Sequence, residues 1–196
     1  MNIAIVKYNA GNVESVRNAL KRLGVESVLT DDAETLRAAD RVIFPGVGEA
    51  SSAIRHLRET GLDEVIRSLK QPVLGICLGM QLLCGSSAEN ETECLGILPY
   101  RVRRFESDAL KIPHIGWNNI HGLRGRLFGG IEESSYVYFV HGFYVERGSD
   151  TTAKCFYGCE FSAAVEHANF FATQFHPEKS GGTGAKILAN FLSIEV

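Results

Sequence analysis

The sequence predicts an α/β fold: an open sheet that is parallel in its first half, has additional antiparallel strands in its second half, and carries helices on both faces. In the first half of the chain, short apolar runs alternate with amphipathic segments. This order calls for parallel strands joined by right-handed crossovers. In the second half, strand patterns follow one another with little helix between them. We therefore expect those strands to extend the sheet or to form a small second one.

Each element of the first half is predicted by its apolar pattern. Apolar runs typical of strands buried on both faces lie at Ile3–Val6, Val25–Leu29, Arg41–Phe44 and Pro72–Ile76. Apolar residues at helical spacing predict one helix from Asn12 to Gly24, one over Ala53–Leu69 with a break at Gly61, and one that begins at Gly79 and includes Cys84. This alternation is typical of a flavodoxin-like sheet.

The second half reads mainly as strands. They are predicted at Tyr100–Phe105, Tyr136–Val140, Thr151–Tyr157, Ala163–His167 and Phe170–Gln174. A closing helix is predicted over Gly184–Phe191. Because 196 residues suit one sizeable core, and neither a repeat nor a low-complexity linker interrupts them, we expect a single domain over residues 1–196.

The composition excludes several classes of protein. Twenty basic and 23 acidic residues give a formal charge of −3 with no long run of either sign, so we expect neither nucleic-acid nor membrane binding. The apolar N-terminus is too short for a signal peptide, which predicts a cytoplasmic protein. Five cysteines are an odd count for a disulfide framework, and their spacing suggests no zinc site. All except Cys77 are interpreted as structural thiols.

Cys77 lies in the segment with the strongest chemical signal. A buried strand runs directly into a predicted helix, with Gly75-Ile76-Cys77-Leu78-Gly79 at the junction. This is the layout of a nucleophile elbow, in which glycines relieve crowding around a strained turn. The N-terminus of the following helix favours a thiolate. Taken alone, the motif also fits a buried cysteine between two packing glycines.

A second segment offers a base and an acid for that thiol. Phe170–Gln174 ends as a strand and is followed by Phe175, His176, Pro177 and Glu178. Residues two apart in an extended segment lie on the same side, so Glu178 is placed to orient the imidazole of His176. The other five histidines have no comparable partner in the sequence. An isolated His-Pro-Glu would also fit an ordinary loop turn.

A glycine-containing loop follows the third predicted strand. Pro45, Gly46, Val47 and Gly48 emerge at the same carboxyl edge of the sheet as Cys77. The backbone N–H groups of Val47 and Leu78 are predicted to form an oxyanion hole. A simple strand-to-helix turn is the alternative, whereas a phosphate-binding loop would need further glycines and a lysine.

Together, these three segments resemble the class I (triad) glutamine amidotransferases over essentially the whole chain. Within that family the chain is similar to the glutaminase subunits of imidazole glycerol phosphate synthases. The segments that carry this likeness are Tyr8–Asn12 with Ser15, Pro45–Gly48, Pro113–Asn118, Tyr136–His141 and Lys179–Ser180. Lys7, Asn9 and Gly142 depart from what many such relatives carry.

The resemblance implies roles for individual residues. It implies Cys77 as nucleophile, His176 as general acid–base and Glu178 as its orienter. The implied oxyanion hole comprises Gly46, Val47 and Leu78, and the residues implied to line the glutamine site are Gly48, Gln81, Glu89 and His141. Those implied to lie near a (β/α)8 cyclase subunit comprise Asn12, Trp117, Tyr138 and Lys179, of which Asn12 would also suit the N-cap of the first helix. No metal or organic cofactor is expected.

The expected function follows from this chemistry. The chain should release ammonia from glutamine and form a heterodimer with the cyclase subunit of histidine biosynthesis, because free ammonia is lost to protonation unless its acceptor is near. We also expect the Gly46–Gly48 loop to be misaligned until the partner binds its ligand. The alternatives left open are the same chemistry feeding a sugar-modifying or other synthase, a thiol hydrolase or peptidase on the same scaffold, and an inactive scaffold subunit.

Overall fold

The computed structural model describes residues 1–9 and 11–195. Ala10, part of the N-terminal segment quoted above, and Val196, the end of the predicted domain, lie outside the described residues. The first half contains strands β1 (Ile3–Val6), β2 (Ser27–Thr30), β3 (Arg41–Gly46) and β4 (Val73–Cys77). Its helices are α1 (Val13–Arg22), α2 (Ala33–Ala38), α3 (Ala50–Thr60), α4 (Leu62–Ser68) and α5 (Leu78–Leu83).

The second half consists mostly of strands. They are β5 (Cys84–Ser87), β6 (Thr92–Glu93), β7 (Leu98–Arg104), β8 (His114–Asn119), β9 (Tyr136–His141), β10 (Phe143–Val145), β11 (Thr151–Tyr157), β12 (Cys159–His167) and β13 (Phe170–Thr173). Helix α6 (Gly181–Leu192) closes the described chain, and short 3-10 turns lie at Glu89–Glu91, Arg126–Phe128 and Pro177–Lys179.

The described strands form one large sheet and one small one. The large sheet runs β2-β1-β3-β4-β13-β12-β10-β7-β5-β6, with β11 paired to β12. Strands β2, β1, β3, β4 and β13 are parallel, and the sheet turns antiparallel at β12. Strands β8 and β9 form a separate antiparallel ribbon. The fold prediction is therefore confirmed, and both options for the later strands occur.

Alternating side chains of the central strands feed two cores, one on each face of the sheet. Ala4 and Val6 of β1 point to the side covered by α3 and α4. Ile3 and Ile5 point to the side covered by α1 and α6. Helices thus lie on both faces, as predicted. Among the described residues, no helix combines the length and apolarity needed to cross a membrane.

Two glycines stop helices where the sequence predicts that they should. Gly24 and Gly61 adopt φ values of 76° and 71°, in the left-handed region that glycine enters without a steric penalty. Gly61 separates α3 from α4 within the segment predicted as one interrupted helix. Several boundaries differ by a few residues: the second strand begins at Ser27 rather than Val25, the interrupted helix at Ala50 rather than Ala53, the strand predicted from Ala163 at Cys159, and the closing helix at Gly181 rather than Gly184. The prediction that Cys84 lies in the helix after Gly79 is wrong: α5 ends at Leu83, and Cys84 begins β5, which pairs with β7.

The sequence patterns missed five elements. Helix α2 buries only Leu36, too little for a helical period to stand out, although Asp32 caps it by accepting the N–H of Thr35 at 2.8 Å. Strand β8 pairs regularly with β9, but its apolar Ile115 and Trp117 are exposed to solvent, so it lacks the pattern of a strand that buries its apolar residues. The other missed elements are β5, β6 and β10, each of two to four residues.

Candidate active site

Cys77 occupies a strained turn between β4 and α5. Its backbone has φ 53° and ψ −106°, a region that non-glycine residues seldom adopt. The flanking glycines relieve the crowding: a Cβ at Gly79 would collide with the backbone carbonyl of Phe44, and one at Gly75 would lie 2.9 Å from Leu83 Cδ1. The predicted reason for both glycines is confirmed. Strain at this position holds the thiol at the carboxyl edge of the parallel strands.

The Cys77 thiol is almost fully buried, with 6% exposure. It donates to the carbonyl of Val140 and accepts from Gln174 Nε2, both at 3.7 Å. Gln174 is itself buried and was not singled out from the sequence. Gln174 lies two residues before His176, in a bend that directly follows β13, so no strand periodicity indicates its contact with the thiol.

His176 and Glu178 meet as the sequence predicts, although the predicted extended segment is wrong: His176 is extended, and Pro177–Lys179 form a 3-10 turn that brings Glu178 back to the imidazole. His176 Nδ1 donates to Glu178 Oε1 at 2.7 Å, and neither side chain is exposed. The opposite ring nitrogen, Nε2, is buried and has no hydrogen-bond partner among the described residues. Glu178 therefore fixes the tautomer and leaves Nε2 free to exchange a proton.

The charge state of His176 is set by two opposing effects. Burial lowers its pKa, but the Cys77 thiol and the Glu178 carboxylate outweigh burial and raise the pKa to about 10. The protonated imidazole is thus favoured when Cys77 is a thiolate. An imidazolium beside a thiolate is the state that acyl transfer from an amide requires.

Asn12 reaches the triad directly. Its Nδ2 donates to Glu178 Oε1 and lies 3.3 Å from His176 Nδ1. Asn12 occupies the N-cap position of α1, as the sequence suggested, but its side chain caps no N–H among the described residues. A left-handed backbone, φ 74°, turns the side chain away from the helix and towards Glu178.

The predicted oxyanion loop borders the thiol. Gly46, the last residue of β3, is the register partner of Cys77. Tyr8, not singled out from the sequence, donates its hydroxyl to the carbonyl of Pro45 at 2.7 Å. Burial, and secondarily the charge of Cys77, raises the pKa of Tyr8, so this hydroxyl stays a donor. Tyr8 therefore anchors the first peptide of the loop.

One cavity of about 280 Å³ opens onto Cys77. Its lining includes Val47 and Leu78 of the predicted oxyanion hole. It also includes all four residues expected to bind substrate, namely Gly48, Gln81, Glu89 and His141. These residues come from four different segments of the chain. The structure therefore brings the predicted substrate residues together around the thiol.

The polar groups of this cavity are held in place by the protein. Gln81 Nε2 donates to Phe143 O at 3.0 Å and to Gln174 Oε1 at 3.1 Å. Glu89 Oε2 accepts the backbone N–H of Ala50 at 2.7 Å. Burial raises the pKa of Glu89, although that N–H opposes the change. The cavity therefore offers an amide and a carboxylate whose positions are fixed.

The four predicted interface residues surround the back of the triad. Trp117 is 55% exposed and packs edge-on against Tyr138 at 6.0 Å. The backbone of Tyr138 bonds the N–H of His176 at 2.9 Å. Lys179, next to Glu178, is exposed, and Asn12 touches Glu178. A partner that covered these residues would contact Tyr138 and Asn12, which form hydrogen bonds with His176 and Glu178.

A larger cleft of about 390 Å³ lies away from the thiol. It is lined in part by Arg101, Arg103 and Arg104. Glu91 and Glu146 pair with the first two of these, which cancels much of the positive charge. Within residues 1–9 and 11–195, no group of three or more histidine, cysteine, aspartate or glutamate side chains is arranged to hold a metal ion.

Comparison with known proteins gives the family. The sequence matches the family described as glutamine amidotransferase class-I over residues 4–194. The chain belongs to the class I glutamine amidotransferases. It is 56% identical to the imidazole glycerol phosphate synthase subunit HisH of Bacteroides thetaiotaomicron, over 99% of this chain and 100% of the relative. It is 46% identical to the HisH subunit of Idiomarina loihiensis, over 99% and 98% of the two chains.

Solved structures of low sequence identity share the fold. One glutamine amidotransferase superposes with a TM-score of 0.75 at 22% identity, and the match covers 96% of each chain. A glutamine amidotransferase from Thermotoga maritima superposes with a TM-score of 0.66 at 16% identity, over 97% of this chain and 82% of that one. The resemblance inferred from the motifs is confirmed by the family match, and the flavodoxin-like α/β architecture by these superpositions.

Proposed function

We propose that this chain is the glutaminase subunit of an imidazole glycerol phosphate synthase, acting in histidine biosynthesis. It would hydrolyse glutamine to glutamate and ammonia and pass the ammonia to a (β/α)8 cyclase subunit. The observation that carries the chemistry is Cys77 on its strained turn beside an imidazole that Glu178 orients. Relatives of the same length at 41–56% identity support the assignment to this synthase.

Acylation begins with the thiolate of Cys77. It attacks the side-chain amide carbon of glutamine, and the carbonyl oxygen takes up negative charge at the N–H groups of Val47 and Leu78. His176 then gives its Nε2 proton to the amide nitrogen, and the carbon–nitrogen bond breaks. The products are ammonia and a γ-glutamyl thioester on Cys77.

Deacylation uses the same groups in reverse order. Neutral His176 accepts a proton from water at Nε2 while the water oxygen attacks the thioester carbon. The carbon–sulfur bond breaks, the thiolate of Cys77 leaves, and glutamate is released. His176 is again an imidazolium, stabilised by Glu178, so the enzyme returns to its starting charge state.

The cavity favours an amino acid over a peptide as substrate. Glu89 presents a carboxylate that can pair with an α-ammonium group, and Gln81 supplies a fixed amide. A volume of about 280 Å³ suits a free amino acid, whereas a peptidase needs a cleft open to an extended chain. These features support glutamine over the peptidase alternative.

The need for a partner follows from the fate of ammonia. Released into water it would be protonated and lose its nucleophilicity, so we propose a cytoplasmic heterodimer that channels it. The exposed apolar side chains Ile115, Trp117 and Tyr136 lie on the ribbon β8–β9, whose Tyr138 bonds the backbone of His176. Aromatic side chains of this kind anchor protein interfaces. We propose that the cyclase docks there and, once loaded, aligns the Gly46–Gly48 loop.

Conversion of glutamine to glutamate by the purified chain tests this function. We expect turnover to be low alone and to rise sharply when the cyclase and its substrate are added. Cys77→Ala should abolish it, whereas Cys159→Ala, a half-exposed thiol outside the cavity, should not. Turnover that ignores this partner would assign the chain to another synthase, and its complete absence would indicate a scaffold subunit.

Partner docking is tested separately by binding measurements. Trp117→Ala should weaken binding of the cyclase roughly thirtyfold, as expected for an aromatic anchor. Val28→Ala is the matched control, since Val28 is an exposed apolar residue on the edge strand β2. Equal affinity of both variants would place the interface elsewhere.

A further inference from the structure

Two buried histidines face each other across the ribbon β8–β9. His114 and His141 are register partners, with 3% and 5% exposure. His114 Nδ1 lies 3.0 Å from His141 Nε2. His141 lines the cavity at Cys77, whereas His114 is absent from that lining and was given no role in the sequence analysis.

The hydrogen-bond partners determine where the protons lie. His141 Nδ1 is 2.7 Å from the carbonyl of Phe143, which can only accept, so Nδ1 carries the proton. A neutral ring has one N–H, so His141 Nε2 must accept. His114 Nδ1 is then the donor in the contact between the rings.

Asn118 is the next member of this hydrogen-bonded series. With its proton on Nδ1, His114 has a bare Nε2, which lies 3.4 Å from Asn118 Nδ2. The amide of Asn118 cannot be turned round, because its Oδ1 accepts the N–H of Asn119 at 2.8 Å and its Nδ2 also donates to Phe156 O. The hydrogen bonds therefore run in one direction, from Asn118 through His114 and His141 to Phe143.

Both rings are held in the neutral state that this direction requires. Burial lowers the pKa of His114 to about 4. Burial, with smaller effects of nearby His114 and His176, lowers the pKa of His141 to about 3, although the hydrogen bond to the Phe143 carbonyl opposes the change. His114 is stacked on Tyr157 at 4.0 Å and on Phe139 at 4.9 Å. An additional proton would place two donors face to face in this packed setting.

This series of hydrogen bonds ends at the carbonyl of Phe143, which lines the cavity at Cys77. The carbonyl of Phe143 accepts from both His141 and Gln81, and the neighbouring carbonyl of Val140 contacts the Cys77 thiol. We propose that His114 is a positioning residue for the glutamine cavity: it holds His141 as the Nδ1–H tautomer and so fixes the wall from Val140 to Phe143. This inference rests on the proposed glutaminase function.

The tautomer is measured directly by nitrogen-15 NMR of the histidine rings at pH 7. We expect His114 and His141 both to be neutral with the proton on Nδ1. In His114→Phe, which keeps the stacking ring but lacks a donor, His141 should show a mixture of tautomers. A wild-type His141 that is charged, or protonated at Nε2, would overturn the proposal whether or not the chain hydrolyses glutamine.

Steady-state kinetics with the cyclase and its substrate supply the functional test. His114→Phe should raise the KM for glutamine about tenfold and change kcat by less than about threefold. His114→Asn, whose amide nitrogen can replace Nδ1 as donor, should restore most of the loss. His121→Phe, on a half-exposed histidine paired with Glu160, is the control.

The outcomes of the two experiments are distinguishable. A folded His114→Phe with an unchanged KM would overturn the positioning role, and so would a His114→Asn no better than His114→Phe. A wild-type chain without glutaminase activity would overturn the proposed function instead, while the ring spectra would still decide the tautomers. If His114→Phe does not fold, the wild-type spectra and His114→Asn decide the question.

Discussion

Two glutamates of the candidate site lie in opposite surroundings: Glu178 bonds His176, whereas Glu89 lines the cavity at Cys77. Glu178 has no exposed side-chain surface, and its Oε1 receives hydrogen bonds from His176 and Asn12. Glu89 is half-buried on a short 3-10 turn and accepts one backbone N–H, that of Ala50. One carboxylate is committed to His176, the proposed catalytic base, and the other lines the cavity.

The two glutamates should affect different kinetic constants, Glu178 the turnover number and Glu89 the KM for glutamine. A buried carboxylate that bonds the base and lies outside the substrate cavity acts through the base, so its loss should appear mainly in kcat. A carboxylate at the rim contacts the ground state and the transition state alike, so its loss should appear in KM. Substitutions of Glu178 should therefore change mainly kcat, and substitutions of Glu89 mainly KM.

The largest effect is expected at Glu178. Glu178→Gln should lower kcat on the order of 10²- to 10⁴-fold, because the imidazole loses the group that sets its tautomer and supports its charge. Because Glu178 raises the pKa of His176, its replacement should also move the alkaline limb of kcat/KM to lower pH. The pH profile of kcat/KM provides the measurement.

Glu160→Gln is the control for that shift. It removes the carboxylate partner of another histidine, His121, on the surface. The alkaline limb should stay where it is in the wild type. A limb that did not move in Glu178→Gln would mean that His176 is not the group that titrates.

A smaller effect is expected at the rim. Glu89→Gln should raise the KM for glutamine about thirtyfold and leave kcat nearly unchanged, because a charge pair with the α-ammonium is lost. Burial raises the pKa of Glu89, so the wild-type KM should rise as the pH falls through a higher range than for an ordinary glutamate, and this dependence should vanish in Glu89→Gln. Initial rates over a range of glutamine concentrations and pH values test both points.

Glu91→Gln, in the same turn and paired with Arg101, serves as the matched variant for Glu89. Its KM should equal that of the wild type. If Glu89→Gln lowered kcat instead of raising KM, the proposed division between the two sides would be wrong.

The smallest of these effects is expected at Asn12. Asn12→Ala should lower kcat about fivefold without changing KM, since one hydrogen bond to Glu178 is removed while His176 keeps its own. Asn9→Ala changes an exposed asparagine near by that bonds Ser52 rather than the triad, so it should behave as wild type. A change in KM at Asn12 would place it with the rim.

The parts of the site that could be predicted from the sequence are those held by local constraints. Cys77 lies between two glycines at a strand end, and Pro177 begins the 3-10 turn that brings Glu178 to His176. The parallel strands were visible because buried runs such as β1 and β4 are continuously apolar. Short-range chemistry was sufficient in each case.

The parts that were missed depend on contacts between distant residues. His114 and His141 are 27 positions apart, and Tyr8 and Pro45 are 37 apart. The sequence around each residue does not indicate its contact with the distant partner. Strand β8 was likewise hidden, because its pairing with β9 is visible only once the ribbon has formed. Supporting residues of this kind are therefore the ones that require a structure.

The central claim is that Cys77 becomes acylated, and the most direct measurement is acid quenching during turnover followed by mass spectrometry of the Cys77 peptide. We expect a glutamyl group on Cys77 that appears when glutamine is added and decays as glutamine is exhausted. The adduct should accumulate further when deacylation is slowed. Cys159 should remain unmodified. Glutamate formation that persists in Cys77→Ala, without any adduct on the wild-type peptide, would contradict the account.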